Sequence, residues 1–261
     1  MITEDFITEL FCQVDDQMSD QRKHSQARLW PSEVVTLGLL HAIKGVGNRA
    51  FYRWLSGNHR ELFPGLPHRT RLFRLLRQHQ DWSDTFLAAP SLLGVIDSYG
   101  IELLHPRREG RSPNQIGKKG KSNYRWIVGG KLCLVLNHLG LVTAGDCATA
   151  NVHDTHFQPL VTQFEEEMVI FAELGFHAKA GDPPNLKLCH RGEWNQRMLV
   201  ETVFSMLTQV WHLKKVTHRV WDYFRSRLAF TMAAFNLVVQ WHGTEPDANG
   251  FVRLSIADVT L

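Results

Sequence analysis

Residues 125–148, RWIVGGKLCLVLNHLGLVTAGDCA, constrain the fold more than any other part of the sequence. They contain two apolar runs with β-branched residues, and residues 137–140, NHLG, provide a turn between them. This pattern predicts two strands joined by a turn. Two further short apolar runs, SLLGVIDS at residues 91–98 and MVIFAELGF at residues 168–176, are typical of buried strands.

Helical periodicity dominates the sequence on both sides of these strands. Near the N-terminus, Val35, Leu39 and Ile43 recur at a spacing of four, which places their side chains on one apolar helix face. Ser32 is the candidate N-cap of that helix. Helical patterns return in residues 197–206 and 223–241. This order of elements predicts an α/β fold, a mixed sheet with flanking helices, preceded by an all-helical N-terminal region.

The change of pattern at Pro90 sets the expected domain boundaries. We expect a helical region at residues 1–90, an α/β domain at residues 91–242 and a polar C-terminal tail at residues 243–261. A chain of 261 residues is long enough for one large domain or two smaller ones.

The composition and the lack of long apolar runs indicate which class of protein the sequence encodes. Hydrophobic residues make up 44% of the chain and charged residues 21%, which is typical of globular proteins. No apolar run approaches the ~20 residues that span a bilayer, and the acidic start MITEDFITEL lacks the basic region of a signal peptide, so we expect a cytoplasmic protein. The four cysteines form no CxxC pair, which argues against a disulfide framework and a structural zinc site.

Three carboxylates stand where a functional site could form. Asp97 follows the apolar run LLGVI and Glu173 ends the run VIFAE, so both are expected to emerge at the rim of the sheet, where sites of α/β proteins gather. Glu201 lies in a helical pattern four residues after Arg197, among apolar neighbours that make an unpaired charge costly. The alternative interpretations are a turn or cap aspartate, a solvated glutamate and a surface ion pair, respectively.

Such a set of acids could bind the metal ions that catalyse phosphoryl transfer. Two divalent cations held roughly 3.5–4 Å apart clamp the attacking and leaving oxygens, and Mg²⁺ prefers carboxylate oxygens and water as ligands. Asp154, in NVHDTH, is a rival acid, but the cap of a helix that starts at Thr155 is its simpler role. Asp146, His153 and His156 are weaker candidates, and for the histidines a loop and helix-start role is favoured.

The order of the short motifs resembles that of bacterial insertion-sequence transposases of the DDE type, whose core is RNase H-like. VIDSYGIELLHPRREGR resembles the segment of the first catalytic aspartate, and GGKLCLVLNHLGLVTAGDCATANVHD resembles the strand pair and corner that follow it. FAELGF occupies the place of the second-acid motif, and RMLVETVFSML matches the Arg-x-x-x-Glu helix of the third acid. The resemblance covers nearly the whole chain, and it depends on the order of the motifs because each is short.

The resemblance implies roles for individual residues. Asp97, Glu173 and Glu201 would be the catalytic residues and the ligands of two Mg²⁺ ions, for which Mn²⁺ is a possible substitute. Arg197 would orient DNA or support the third acid. Glu173 departs from the family pattern, which has aspartate, and its longer side chain would shift the carboxylate. Positioning errors near 1 Å can cost ~100-fold in rate.

The resemblance also implies an activity and partners. The implied activity is metal-dependent cleavage of double-stranded DNA at transposon ends, followed by strand transfer into target DNA. A homodimer on paired ends would carry it out at the nucleoid in the bacterial cytoplasm, with no membrane partner. Two alternatives stay open: a metal-dependent nuclease without strand transfer, and a DNA-binding relic impaired by Glu173.

Two basic stretches are the expected DNA contacts. Residues 105–125 are expected to form a flexible loop beside Asp97, where phosphate contact competes with the role of a solvated charge run. The basic residues of this stretch are Arg107, Arg108, Arg111, Lys118, Lys119, Lys121 and Arg125. In HRTRLFRLLRQHQ, Arg71 and Arg74 share one predicted helix face that suits a groove or phosphates, and an ordinary solvated helix explains them nearly as well.

Overall fold

The chain runs through several helices before it enters a mixed sheet. The structure, a computed structural model, describes residues 2–122, 125–189 and 197–242. The α-helices are α1 (Glu4–Gln17), α2 (Pro31–Lys44), α3 (Asn48–Asn58), α4 (Arg69–Gln78), α5 (Gln158–Thr162), α6 (Arg197–Gln209) and α7 (Trp221–His242). The strands are β1 (Leu93–Leu104), β2 (Lys118–Ser122), β3 (Arg125–Asn137), β4 (Val142–Thr149), β5 (Val169–Glu173) and β6 (Leu186–Cys189). Segments of 3-10 helix lie at Gln80–Phe86, Pro106–Arg108, Asp154–Phe157, Leu174–Phe176 and Leu213–Lys215.

The residue that caps the start of α2 is not the predicted one. The helix begins at Pro31, whose missing N–H costs nothing at the first helical position. The backbone N–H of Trp30 donates to a carboxylate oxygen of Glu33 at 2.6 Å. Ser32, the predicted N-cap, is instead buried within the first turn. The helix ends at Lys44 and is capped by Gly45, which adopts the left-handed conformation at φ 67° that favours glycine.

The sheet is mixed and six-stranded, which confirms the predicted mixed α/β class. β3 pairs antiparallel with β1 along one edge. Along its other edge β3 pairs antiparallel with β2 near its start and with β4 further on. β5 pairs in parallel with β1, and β6 in parallel with β5. The predicted strand pair is therefore correct, and its turn is closed by the N–H of Asn137, which donates to the carbonyl of Leu141 at 2.9 Å.

Two expectations about the first strand and the basic stretch are wrong. β1 does not end near Asp97 but continues to Leu104, because it pairs with the long strand β3 from Gly94 onward. Residues 105–125 are not one flexible loop, since Lys118–Ser122 form β2 on the edge of β3. Backbone pairing creates this strand, because the sequence KKGKS has little intrinsic preference for one.

Helices pack on both faces of the sheet. On one face, Val95, Ile101 and Leu132 belong to an apolar core that includes buried residues of α6 and α7 and extends into α1–α4. On the other face, Ile96 and Val135 pack with buried residues of the segment that contains α5. The helices before β1 thus share a continuous core with the sheet, and the domain boundary near residue 90 stays a prediction.

The contact of α7 with α2 includes a buried cation. Arg227 donates from Nη1 to the carbonyl of His41 at 2.6 Å and from Nη2 to the carbonyl of Ala42 at 3.2 Å. These carbonyls lie in the last turn of α2, where a positive charge is favourable. Among the described residues, no helix combines the length and the apolar character needed to cross a lipid bilayer.

Candidate active site

Asp97 and Glu173 lie on neighbouring strands and on the same face of the sheet. β1 and β5 are parallel, and Val95 lies beside Phe171 in the last pair of their ladder. Asp97 and Glu173, the last residue of β5, each lie two residues beyond this last pair. Side chains two residues apart along a strand point to the same face, and neighbouring strands lie about 4.8 Å apart. The two carboxylates therefore belong to the same face of the sheet, on neighbouring strands.

The position of Asp97 differs from the one expected at the end of a strand. Asp97 is the fifth residue of the twelve in β1 and is paired with Leu134 of β3. Its half-buried carboxylate accepts a hydrogen bond from the backbone N–H of Ser98 at 2.7 Å. Asp97 lies near an edge of the sheet because the neighbouring strand β5 ends at Glu173, and not because β1 ends there.

Tyr99 shows which helix covers this face. It follows Asp97 by two residues in β1, and its ring stacks on that of Phe204 in α6, with 5.5 Å between ring centroids. Glu201 precedes Phe204 by three residues, which is nearly one helical turn, and its side chain is exposed. The structure therefore brings Asp97, Glu173 and Glu201 to the same side of the sheet, with Glu201 at the exposed border of the contact between α6 and β1.

In the described structure, the three acids do not form a metal-binding group. Among the described residues, no three His, Cys, Asp or Glu side chains are grouped so that they could hold a metal ion. Asp97 and Glu173 offer adjacent oxygen ligands of the kind that Mg²⁺ prefers. Glu201 lies at the helix surface instead. The residues that fit a divalent cation are therefore the two carboxylates on the sheet, Asp97 and Glu173.

Arg197 was expected to support Glu201 or to contact DNA. It is the first residue of α6, four residues before Glu201. Its side chain lies outside the described part of the structure.

Asp154, the rival for the second acid, belongs to the opposite face of the sheet. Its Oδ1 accepts from Ser98 Oγ at 2.6 Å and from Lys131 Nζ at 3.0 Å. Lys131 also donates to the carbonyl of Val152 at 2.9 Å. Ser98 and Asp97 are consecutive in β1, so their side chains point to opposite faces. Asp154 is therefore separated from Asp97 and Glu173 by the sheet itself.

The predicted capping role of Asp154 is wrong for a local reason. His153 is the N-cap of the 3-10 helix Asp154–Phe157, and its ring nitrogen accepts from the N–H of Thr155. Asp154 is free to turn toward the sheet, where it bonds with Ser98 and Lys131. The sequence offered one signal for this network: a lysine, Lys131, inside the otherwise apolar strand KLCLVL.

Within residues 105–125, all of the lysine and arginine side chains that were expected to contact DNA are exposed. These are Arg107, Arg108, Arg111, Lys118, Lys119, Lys121 and Arg125. Lys119 forms an ion pair of 3.2 Å with Glu109, and its Nζ lies 5.8 Å from the ring centroid of Trp126. Trp126 is 59% exposed and lies opposite Lys121 in the ladder of β2 and β3. An exposed aromatic ring flanked by lysines suits contact with a polyanion.

Arg71 and Arg74 lie on the exposed side of α4, as predicted. Their side chains are exposed, whereas Leu72 and Leu76 are buried in the core. Arg71 differs from Arg74 in that it also lines a cavity between α4 and the segment before α2.

Comparisons of the chain with protein-family models, curated proteins and solved structures find no match.

Proposed function

We propose that this chain is a metal-dependent phosphoryl-transfer enzyme that acts on double-stranded DNA, as in transposases of the DDE type with an RNase H-like core. The observation that carries the proposal is that Asp97 and Glu173 belong to one face of adjacent parallel strands, each two residues beyond the last pair of the β1–β5 ladder. Two carboxylates in such a position offer oxygen ligands of the kind that Mg²⁺ prefers.

Other features support the same proposal. β1 lies between an antiparallel partner, β3, and a parallel partner, β5, which is compatible with an RNase H-like core. Glu201 lies on the helix that covers the same face of the sheet, and the cations of residues 105–125 that were expected to contact DNA are exposed. The activity would be cleavage at transposon ends and strand transfer into target DNA by a homodimer.

Mg²⁺ is the cofactor that the proposal implies, with Mn²⁺ as a substitute. Asp97 and Glu173 would hold it, and Glu201 would approach from α6. When bound, such ions lower the pKa of a coordinated water and stabilise charge on the phosphate oxygens. The exposed cations of β2 and of residues 106–111 would hold the DNA backbone, since lysine and arginine make most sequence-independent phosphate contacts.

One observation favours a second candidate, a DNA-binding protein without catalytic activity. In the part of the chain that the structure describes, Glu201 does not join Asp97 and Glu173 in a metal-binding group. This candidate retains the basic surface and predicts salt-sensitive DNA binding with no cleavage.

Cleavage of a plasmid that carries the DNA flanking the gene tests the proposal. The purified protein should cut this DNA in Mg²⁺ or Mn²⁺ but not in EDTA. Asp97→Asn should lower the cleavage rate by about 100-fold or more, because it removes a charge that positions the reacting groups. Glu166→Gln, an exposed glutamate before β5, is the matched control and should leave the rate unchanged. Equal cleavage by Asp97→Asn and wild type would refute the site, and binding without cleavage would favour the second candidate.

A further inference from the structure

A cavity among the N-terminal helices has the properties of a binding site. Its volume is about 570 Å³, which falls within the roughly 300–1,000 Å³ typical of ligand pockets. Its walls come from residues 22–34, from residues 67 and 68, from α4 and from the 3-10 helix Gln80–Phe86. It is separate from the face of the sheet that carries Asp97 and Glu173.

The charge of the cavity lining is uniformly positive. Arg22, Arg28 and Arg71 line it, and the residues that line it include no aspartate or glutamate. None of these arginines forms an ion pair with a carboxylate in the described part of the chain. Three uncompensated guanidinium groups around one cavity favour an anionic ligand, and guanidinium geometry suits phosphate in particular.

An aromatic pair forms another part of the wall. The rings of His79 and Trp82 are stacked, with 4.0 Å between their centroids and 17° between their planes. Burial lowers the pKa of His79, against a smaller opposite effect of Asp81, so the ring is neutral at neutral pH. Leu29 and Val34 are buried beside the cavity and add apolar surface. A flat, neutral ring system beside apolar side chains suits a planar ligand group.

We propose that this cavity binds one unstacked nucleotide, with its base against the His79–Trp82 pair and its phosphate held by Arg22, Arg28 and Arg71. A nucleotide has both chemical features that the lining of the cavity favours, a planar apolar face and an anion. Base stacking on aromatic rings together with a basic groove is the common mode of single-strand binding. A base inside an intact duplex cannot enter a cavity, because both of its faces are already stacked.

Two sources could supply such a nucleotide: a free mononucleotide, or an unpaired position in a nucleic-acid strand. Fluorescence anisotropy of a labelled 12-nucleotide single strand, measured in EDTA, tests binding, and unlabelled dAMP serves as the competitor. Displacement by dAMP at concentrations comparable to those of the unlabelled strand assigns the free nucleotide. A strand that binds at least about 100-fold more tightly than dAMP assigns the strand. If neither ligand binds, the proposal is overturned.

Variants locate the binding in the cavity. Arg71→Ala should weaken single-strand binding by about tenfold, whereas Arg53→Ala, which changes an exposed arginine of α3 outside the cavity, should weaken it by less than about twofold. Trp82→Leu should also weaken it by about tenfold, and Trp82→Phe should retain most of the affinity. Equal losses for Arg71→Ala and Arg53→Ala would overturn the proposal, because they indicate general electrostatic attraction. If Trp82→Leu does not fold, photo-crosslinking of an iodouracil-containing strand to Trp82 or His79 decides the matter, and crosslinks only elsewhere would also overturn it.

The proposal goes beyond the phosphoryl-transfer site and does not depend on it. Binding in EDTA does not involve Asp97 or Glu173 acting through a metal. A protein that cuts DNA but does not bind the strand through Arg71 and Trp82 would refute only the cavity. A protein that binds the strand but does not cut DNA would refute only the catalytic proposal.

Discussion

Lys131 and Asp154 form an ion pair of 3.0 Å on the face of the sheet opposite to Asp97. The same carboxylate oxygen accepts from the hydroxyl of Ser98 at 2.6 Å, so one aspartate joins β1, β3 and the segment that follows β4. Asp154→Ala should lower the free energy of unfolding by about 1–3 kcal/mol, because it leaves a partly buried ammonium and a hydroxyl without their acceptor. Urea denaturation followed by circular dichroism measures this change.

The conservative variant separates structure from catalysis at this position. Asp154→Asn keeps an oxygen acceptor for Ser98 and Lys131 and should recover part of the lost stability. Both variants should retain metal-dependent cleavage at temperatures where they are folded. A variant with wild-type stability but no cleavage would contradict the structural role and identify Asp154 as a catalytic acid.

Glu173→Asp tests whether the glutamate weakens the proposed site. Asp97 and residue 173 each lie two residues beyond the last pair of the β1–β5 ladder, and two aspartates there would have side chains of equal length. Since misplacement near 1 Å can cost ~100-fold, Glu173→Asp should raise the cleavage rate by about tenfold or more. Initial rates in Mg²⁺ measure the effect. A lower rate in Glu173→Asp than in wild type would show that the site is adapted to glutamate.

The sequence predicted the parts of the fold that depend on local patterns. The β3–β4 pair was predictable because NHLG separates two β-branched apolar runs, and its turn falls at those residues. The exposed face of α4 followed from helical spacing. The length of β1 was not predictable in this way, since Gly100 and Glu102 weaken the local strand signal and pairing with β3 determines where the strand ends.

Local sequence signals suggested the residues of the candidate site, but not how they are arranged. Asp97 and Glu173 each follow a short apolar run, which is a local signal. Their placement on one face of neighbouring strands depends on the pairing of two strands whose paired residues lie 76 positions apart, such as Val95 and Phe171. The ion pair of Lys131 with Asp154 depends on tertiary packing in the same way. Local periodicity carries no information about either relationship.

Two partly or fully buried histidines make the stability depend on pH. Burial, with the nearby charge of Arg227 as a smaller cause, lowers the pKa of His41 well below its ordinary value and that of His218 to about 4. The unfolded chain therefore binds more protons than the folded chain between about pH 6.5 and pH 4. The free energy of unfolding should be highest above pH 6.5 and should fall as the pH drops toward 4.

Urea midpoints at pH 7.5, 6.0 and 5.0 measure this dependence. His218→Gln should reduce the fall in stability between pH 7.5 and 5.0, because one of the two protonation sites is lost. His138→Gln, which changes an exposed histidine, should leave the pH dependence as it is in wild type. A stability that stays constant or rises over this range would contradict the assigned protonation states.

Asn236 holds α7 against the edge of β4 through a fully buried side chain. Its Oδ1 accepts from the N–H of Val142 at 2.8 Å, and its Nδ2 donates to the carbonyls of Val142 at 2.8 Å and Phe86 at 3.0 Å. Asn236→Leu fills a similar space but removes these bonds. Because each buried polar group left without a partner costs about 1–3 kcal/mol, the free energy of unfolding should fall by roughly 3 kcal/mol or more. Asn58→Leu, at the exposed end of α3, should change stability by less than about 0.5 kcal/mol in the same urea titration. Similar small changes in both variants would mean that the amide contributes no more to stability than an apolar side chain of its size.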